Sequence, residues 1–343
     1  MSVVIVDWLG RGGIAQTSEA WAVEAAELGI ETYVVTRGGR EIEPRGFEVA
    51  SVSDGRSRLL THRRVVGAAV RTIATRKPDV VVVQNYVIPT LERPVHRAAR
   101  DAGSDLVFVV HDHRLHSRLA GSNAGLPALL RGADDVVAHS RFVGQSVAES
   151  AGCAVSVIPH PIPVGLLARS GWDRDTASPD PGKVALQFGV VKRRYKGVDL
   201  VESLAASGVD GWQFVIAGTG APARAVGLRA VPGFLSAATL VDEVARSRAT
   251  LLPYRLATQS GTIPLAHVLG SVPVAYGVGG IVEQIDHGRT GLLLPPESDL
   301  AAWRGVLERL GDDVEYTRLA DEGRTAVEDE HGRFRDAVKR RLA

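Results

Sequence analysis

The sequence predicts an α/β protein of two domains, each a parallel sheet covered by helices. Short apolar runs alternate with amphipathic stretches at intervals of roughly thirty residues, which is the pattern of parallel strands joined by helical crossovers. Residues 170–183 interrupt this alternation with a cluster of Asp, Ser, Pro and Gly that predicts a linker. The chain has 343 residues, enough for two domains with separate cores.

The predicted strands are short and largely apolar. In the first half they are SVVIVDW, ETYVVT, FEVASV, DVVVVQN, DLVFVVHD, DDVVAHS and AVSVIPH, and in the second half KVALQFGVV, WQFVIAG, ATLLPY, VPVAY and TGLLL. Helices are predicted over residues 14–28, which Gly29 ends, and over residues 61–76. The last thirty residues are charged and amphipathic, so we expect a terminal helix.

The composition favours a globular cytoplasmic protein. Hydrophobic residues make up 45% and charged residues 23% of the chain, and no apolar run reaches the roughly 18–20 residues of a membrane span. The first residues, MSVVIVDWLG, predict a buried strand rather than a signal peptide. Cys153 is the only cysteine, which excludes an intrachain disulfide and a cysteine-based metal site. The net charge of +1 does not favour nucleic-acid binding.

The pattern of residues 251–296 indicates which class of ligand the protein binds. A strand (LLPY) leads through a polar loop (ATQSGT) into an apolar helix (IPLAHVLG), and a second strand (VPVAY) leads into GGIVE. The free N–H groups of such a strand-to-helix junction face the carboxyl edge of a parallel sheet, where phosphates bind. The stretch therefore predicts a nucleotide diphosphate as ligand.

Two further loops have the composition of binding sites. Gly12 and Gly13 lie between the first strand and the first helix, where they either let the backbone approach a ligand or serve tight packing. Ala15 stands where a dinucleotide fingerprint has its third glycine, so NAD binding is not expected. The second domain begins with a strand that ends in a basic loop, and four cations there predict an anion site, Lys192, Arg193, Arg194 and Lys196.

His111 follows the run DLVFVV and is placed at the carboxyl end of a strand, where α/β active sites lie. His113 and His116 are close in sequence, but this spacing without carboxylates in a set geometry is a poor metal site, so no metal is expected.

The predicted helix 61–76 is strongly basic on one side. Arg63, Arg64 and Arg71 share a face, and residues 55–77 contain seven Lys or Arg and no Asp or Glu. The face is either a solvated outer surface or a site for an anionic membrane or an anionic acceptor.

Nearly the whole chain resembles the family 4 retaining glycosyltransferases, which have the GT-B fold. The matching features are Gly12–Gly13, the strand-end His111, ADDVVAHSRFV, VIPHPI, FG…YKG at 188–197, FVIAGTG, PGFLS, GGIVE and GRTGLLLPP. The resemblance implies two Rossmann-like domains with parallel sheets facing a central cleft. We therefore expect an acceptor domain over residues 1–168, a linker over 169–182, a donor domain over 183–322, and a C-terminal helix over 323–343 that packs back towards the first domain.

The resemblance also implies roles for residues. Lys196 with Arg193 or Lys192 would hold the donor diphosphate, and His111 would contact the transferred sugar. The remaining positions implied for binding are Gly12, Gly13 and Gly218, Phe234 and Leu235 at the nucleobase, Ser260, Gly261 and Thr262 at the distal phosphate, and Glu283 in the GGxxE motif.

Two departures from the family pattern stand out. Many members have two glutamates seven residues apart, one of which binds the donor ribose, and the corresponding residues here are Thr258 and Ala266. A subset of relatives shares the TQSG sequence at this point. One extra residue also separates Gly189 from Lys196, which leaves open whether Arg193 or Lys192 is the family's cation.

The resemblance implies a retaining transferase that moves a hexosyl-type sugar from a UDP-, GDP- or similar nucleotide sugar to an acceptor hydroxyl, without a metal or other cofactor. The acceptor would be a glycan, a lipid-linked intermediate or a small metabolite, and the basic helix adds the option of peripheral contact with the inner membrane face. Two alternatives stay open. One is a GT-B phosphorylase or sugar-nucleotide epimerase, and the other is a non-catalytic GT-B partner subunit, suggested by the missing glutamates.

Overall fold

The computed structural model describes residues 1–38, 41–55, 57–112, 125–174, 181–191 and 194–342. The chain divides into two compact units. Unit 1 comprises Met1–Gly165 and His331–Ala343, and unit 2 comprises Leu166–Glu330. The predicted linker, residues 169–182, lies partly outside the described residues.

Unit 1 is built on a seven-stranded sheet in which every strand pairing is parallel. The strand order is β3-β2-β1-β4-β5-β6-β7. The strands are β1 Ser2–Asp7, β2 Glu31–Arg37, β3 Glu48–Val52, β4 Val80–Gln84, β5 Asp105–Val110, β6 Asp135–Ala138 and β7 Ser156–Val157. The helices among the described residues are α1 Gly12–Glu27, α2 Arg58–Arg76, α3 Pro89–Ala102, α4 Leu126–Leu130 and α5 Arg141–Ala151, and α6 Val164–Ser170 crosses the unit boundary.

Unit 2 is built on a six-stranded parallel sheet with the order β10-β9-β8-β11-β12-β13. Its strands are β8 Val184–Val190, β9 Gln213–Thr219, β10 Leu228–Pro232, β11 Ala249–Leu252, β12 Val272–Tyr276 and β13 Leu292–Leu294. Its helices among the described residues are α7 Val198–Ser207, α8 Ala237–Ala245, α9 Thr262–Val268, α10 Ile281–Gln284, α11 Leu300–Leu310 and the first part of α12 Asp313–Leu342.

The strands form where the sequence has continuous apolar runs, because both faces of each sheet are covered. Alternate residues of β1 enter different cores: Val4 and Val6 pack with α2 and α3, whereas Val3 and Ile5 pack with α1. Several helices begin at a side-chain cap, as where the Ser140 hydroxyl accepts a hydrogen bond from the Val143 N–H at 3.2 Å.

The end of α12 belongs to the core of unit 1. Phe334 is fully buried and packs edge-on against Trp21 of α1, with ring centroids 5.9 Å apart. Ala337, Val338 and Leu342 are buried in the same cluster. The last turns of the chain therefore complete the face of the first sheet that α1 covers.

The predicted and observed elements differ in one strand. The sequence does not predict β10, because LRAVP contains Arg and Pro and its residues are half-buried or exposed at the edge of the sheet. The predicted helix over residues 61–76 begins three residues earlier, at Arg58. Among the described residues, no helix is both long and apolar enough to cross a membrane.

Candidate active site

Each sheet has one point at which the strand order reverses. In unit 1 the reversal lies between β1 and β4, and in unit 2 it lies between β8 and β11. The loops after the two strands diverge at such a point and leave a crevice outside the carboxyl edge, where α/β proteins bind ligands. The candidate site residues of each unit lie at these edges.

The first loop of unit 1 follows β1. The buried Asp7 carboxylate accepts hydrogen bonds from the Leu9 and Gly10 N–H groups, at 2.7 and 2.9 Å, which shapes the turn, and burial raises the pKa of Asp7. The Gly12 N–H donates to Glu41 Oε2 at 2.6 Å. Gly12 and Gly13 are the first two residues of α1 and not part of the loop. Apart from the adjacent residues and the nearby helix backbone, no described atom lies within 4 Å of where a Cβ would be at either glycine, so this end of the helix is open.

His111 lies at the end of β5, as its position in the sequence predicts. Its Nε2 is 3.1 Å from Gln84 Oε1, and its backbone N–H faces Asn85 Oδ1 at 3.4 Å. The ring centroids of His111 and His139, which follows β6, are 5.1 Å apart, and those of His139 and His160 are 5.2 Å apart. Three buried histidines thus stand side by side at the carboxyl edge of the first sheet.

These histidines are neutral at neutral pH. Burial lowers the pKa of His111 well below its ordinary value, and positive charge on His139 or His160 would lower it further. Burial likewise lowers the pKa of His139 to about 3 and that of His160 to about 4. His139 Nδ1 faces the carbonyls of Ile158 and Pro159, at 3.3 and 3.2 Å, and therefore carries the ring hydrogen. A neutral His111 can hydrogen-bond to a sugar without adding a cation.

His139 and His160 have no predicted role, although each follows a strand-like run in the sequence. The strand-end rule that selects His111 would have selected them too. His113 and His116 lie outside the described residues. In the part of the chain that the structure describes, no group of three or more His, Cys, Asp or Glu side chains is arranged to hold a metal ion.

Lys196 lies in the loop after β8, at the reversal point of the second sheet. Its ammonium is 3.6 Å from the centroid of the buried Tyr254 ring, and its carbonyl accepts from Gln187 Nε2 at 2.7 Å. Gly197 (φ 66°) ends this turn, and a Cβ there would overlap the Pro253 carbonyl. Close backbone packing between the loops after β8 and β11 therefore positions Lys196.

Lys192 and Arg193 lie outside the described residues, as does the Arg194 side chain. The choice between Lys192 and Arg193 as the second cation stays a prediction.

The loop after β11 carries the predicted phosphate contacts. Gly261 directly precedes α9, which begins at Thr262. The Ser260 N–H donates to Gln284 Oε1 at 2.8 Å, and the Thr262 N–H faces the Ser260 hydroxyl at 3.3 Å. Two of the three N–H groups predicted to bind phosphate thus have partners within the protein.

Gln284 is a contact that the sequence does not reveal. The predicted residue next to it, Glu283, is exposed on α10. Gln284 instead reaches the loop after β11, from which it is separated by 24 residues. No spacing or composition signal marks it.

The predicted nucleobase positions follow β10. Phe234 is 73% exposed, so its ring is available for stacking, and Leu235 is half-buried. Gly218, at the end of β9, has φ 121°, and a Cβ there would overlap the Gly189 carbonyl.

Of the two positions where relatives have glutamates, Ala266 is fully buried in α9. No charge reaches the donor edge from that position.

Helix α2 has the two faces that its sequence predicts. Val65, Val66, Ala69 and Ile73 are buried. The opposite side lines a cavity of about 450 Å³, with residues Val52, Leu60, Arg63, Arg64, Gly67 and Arg71. In its N-terminal turn, His62 Nε2 is 3.1 Å from Glu92 Oε1. The same oxygen accepts hydrogen bonds from the Val87 and Ile88 N–H groups, in the loop that follows β4.

Two family models match this chain. The model described as Glycosyltransferase Family 4 matches residues 11–166, and the model described as Glycosyl transferases group 1 matches residues 182–313. Glycogen synthase 1 of Bradyrhizobium diazoefficiens is 33% identical over 132 residues. That alignment covers 35% of this chain and 29% of the relative, so the chain matches less than a third of that relative's length.

Solved structures share the fold along the whole chain. Anabaena HepE in complex with UDP-glucose has a TM-score of 0.72 at 16% identity and covers 100% of this chain and 98% of its own. Sucrose-phosphate synthase from Thermosynechococcus elongatus has a TM-score of 0.73 at 16% identity, covering 100% and 97%. WaaG, a glycosyltransferase involved in lipopolysaccharide biosynthesis, has a TM-score of 0.67 at 14% identity, covering 98% of both chains. With two parallel-sheet Rossmann-like units and the two family matches, the chain belongs to the family 4 glycosyltransferases of the GT-B fold.

Proposed function

We propose that the protein is a retaining glycosyltransferase that moves a hexosyl-type sugar from a nucleotide-diphosphate sugar to an acceptor hydroxyl. The observation that carries the proposal is the position of Lys196, whose ammonium lies at the reversal point of the second sheet next to the loop after β11. A diphosphate is the ligand class that a cation and a strand-to-helix junction at this edge would bind. The structures of HepE with UDP and with UDP-glucose support a nucleotide-sugar donor.

The chemistry follows from where charge develops. Negative charge grows on the leaving diphosphate as the glycosidic bond to the donor breaks, and a nearby ammonium stabilises it without a metal ion. Neutral His111 would hydrogen-bond to the transferred sugar. We propose a front-face route in which the leaving phosphate accepts the proton of the acceptor hydroxyl and the anomeric configuration is retained.

Lys196→Ala tests the diphosphate assignment. Loss of a charge-assisted contact costs about 1.5–3 kcal/mol, so we expect the dissociation constant for UDP or GDP, measured by calorimetry, to rise roughly 10- to 150-fold. Lys183→Ala is the matched control, because Lys183 is exposed at the amino end of β8, away from this edge. Equal affinity of Lys196→Ala and wild type would refute the assignment.

A donor screen separates this function from its alternatives. A glycosyltransferase releases nucleoside diphosphate only when an acceptor is added, whereas a phosphorylase or an epimerase has no such requirement. NMR of the product gives the anomeric configuration, and an inverted product would exclude retention. Failure to bind any of UDP-, GDP- and ADP-sugars would favour the non-catalytic partner role that Thr258 and Ala266 suggest.

We also propose that the basic face of α2 contacts an anionic membrane surface. Arg63, Arg64 and Arg71 are exposed beside Leu59 and Leu60, which are 46% and 51% exposed, and basic residues next to apolar ones suit an anionic lipid interface. Charge reversal of the three arginines should abolish sedimentation with phosphatidylglycerol vesicles and leave binding to phosphatidylcholine vesicles unchanged. Sedimentation that survives the reversal would exclude this face.

A further inference from the structure

The side-chain amide of Gln284 forms two hydrogen bonds with one residue of the loop after β11. Its Oε1 accepts from the Ser260 N–H at 2.8 Å, and its Nε2 donates to the Ser260 carbonyl at 3.1 Å. Ser260 is 6% exposed, so both bonds form largely out of water. Gln284 lies on α10, which follows β12. The contact therefore ties together the loops that follow two neighbouring strands, β11 and β12.

Both bonds need a side chain that has a donor and an acceptor, as a neutral amide has. An ionised carboxylate could accept from the Ser260 N–H, but it would face the Ser260 carbonyl with a second acceptor. It would also add a negative charge beside the proposed diphosphate site. A thioether of the same length would make neither bond and would leave a buried N–H and a buried carbonyl without their partner.

Buried apolar residues on both sides of Gln284 fix the position of α10. Ile281 and Ile285, one turn before it and directly after it, are buried. They belong to a small apolar cluster that also contains Tyr254 and Ile263. Tyr254 carries the Lys196 ammonium on its ring, and Ile263 lies in the first turn of α9. The proposed cation and the loop after β11 thus share one packed support, and Gln284 fixes the loop to it.

We propose that Gln284 is a positioning residue for the donor diphosphate. By holding the Ser260 backbone through a neutral amide, it fixes the orientation of the loop segment 259–262, which approaches the phosphates, without bringing a competing charge to the site. This inference rests on the proposed donor binding in unit 2. In this arrangement the Ser260 N–H donates to Gln284 and not to a phosphate oxygen.

Three variants test the role by calorimetry with UDP and GDP. Gln284→Met removes both hydrogen bonds, and we expect the dissociation constant to rise roughly 5- to 20-fold, as for the loss of one or two ordinary hydrogen bonds. Gln284→Glu should bind more weakly than Gln284→Met at pH 7.5, since it adds repulsion. Gln213→Met is the matched control, because Gln213 is exposed at the amino end of β9.

A pH profile distinguishes positioning from simple loss of packing. A protonated glutamic acid can donate to the Ser260 carbonyl and accept from its N–H, as glutamine does. Affinity of Gln284→Glu relative to wild type should therefore recover as the pH falls towards about 4–5, near the ordinary pKa of Glu, whereas that of Gln284→Met should not. Hydrogen exchange of the Ser260 amide should accelerate in Gln284→Met without ligand.

The outcomes separate this inference from the function on which it rests. If wild type binds UDP or GDP and all three variants bind equally well, the positioning role is wrong and the donor site stands. If Gln284→Glu and Gln284→Met lose affinity equally at every pH, the effect is one of packing and the role is also wrong. If wild type binds no nucleotide while Ser260 exchange still responds to Gln284→Met, the proposed function fails and the positioning role fails with it.

Discussion

Phe334→Ala should destabilise unit 1 although the residue lies only nine positions before residue 343. The Phe334 side chain is fully buried against Trp21, between α1 and the end of α12. Truncating a buried phenylalanine costs about 3–5 kcal/mol, part of which is an edge-to-face ring contact of about 0.5–1.5 kcal/mol. Since domains unfold with about 5–15 kcal/mol in total, the variant should lose a large share of the stability of unit 1.

Phe234→Ala is the matched control, because the same side chain is removed from a position that is 73% exposed. Its free energy of unfolding should stay within about 0.5 kcal/mol of wild type. Its affinity for UDP should fall roughly 5- to 150-fold if the ring stacks on the base at about 1–3 kcal/mol. Phe334→Ala should therefore lower the stability of unit 1, whereas Phe234→Ala should lower the affinity for UDP without lowering stability.

The assay is urea unfolding with hydrogen exchange of the β1 and β4 amides, which report on unit 1 alone. Phe334→Ala should lower the urea midpoint of these amides and leave that of the β11 and β12 amides unchanged. A change below about 1 kcal/mol in unit 1 would show that the end of α12 is dispensable, which would refute the packing argument.

Two further predictions concern backbone geometry and pH. Gly208→Ala should destabilise unit 2 by about 1–3 kcal/mol, because Gly208 has a positive φ but open space around a Cβ. Gly218→Ala should cost more, because Gly218 also has a positive φ and a Cβ there would overlap the Gly189 carbonyl. Equal urea midpoints for the two variants would contradict this. Folded His139 has a pKa of about 3 and an unfolded histidine about 6.5, so the unfolded state binds more protons as pH falls below 6.5 and stability decreases. His139→Gln should flatten the stability–pH profile between pH 6 and 4 by about 1.4 kcal/mol per pH unit, and an unchanged slope in urea titrations would show that His139 is not buried neutral.

Much of the fold could be predicted because parallel strands buried on both faces are continuous apolar runs. β4 (VVVVQ) and β12 (VPVAY) are fully buried, and their sequences show it. β10 could not be predicted, since an edge strand with Arg229 and Pro232 has neither apolar continuity nor clean alternation.

The candidate site likewise contains residues that the sequence predicts and residues that it does not. His111 follows from its place at a strand end, and Lys196 lies where the basic loop after β8 predicts a cation. The bond between Gln284 and Ser260 depends on the geometry of two loops after different strands, which leaves no periodic trace in the sequence. Lys192 and Arg193 stay predictions, because they lie outside the described residues.

The contribution of α12 to the first core has a consequence for synthesis on the ribosome. Strands β1 to β7 are made first, but Phe334, Val338 and Leu342, which pack against their sheet, are made only after residues 166–330. At roughly 5–20 residues per second, the intervening residues Leu166–Glu330 take on the order of 10–30 seconds to translate. During this interval an apolar strip beside Trp21 stays uncovered in the nascent chain. We therefore expect the protein to depend on chaperones until residues 331–342 have been made, and chains that stop at Glu330 to aggregate.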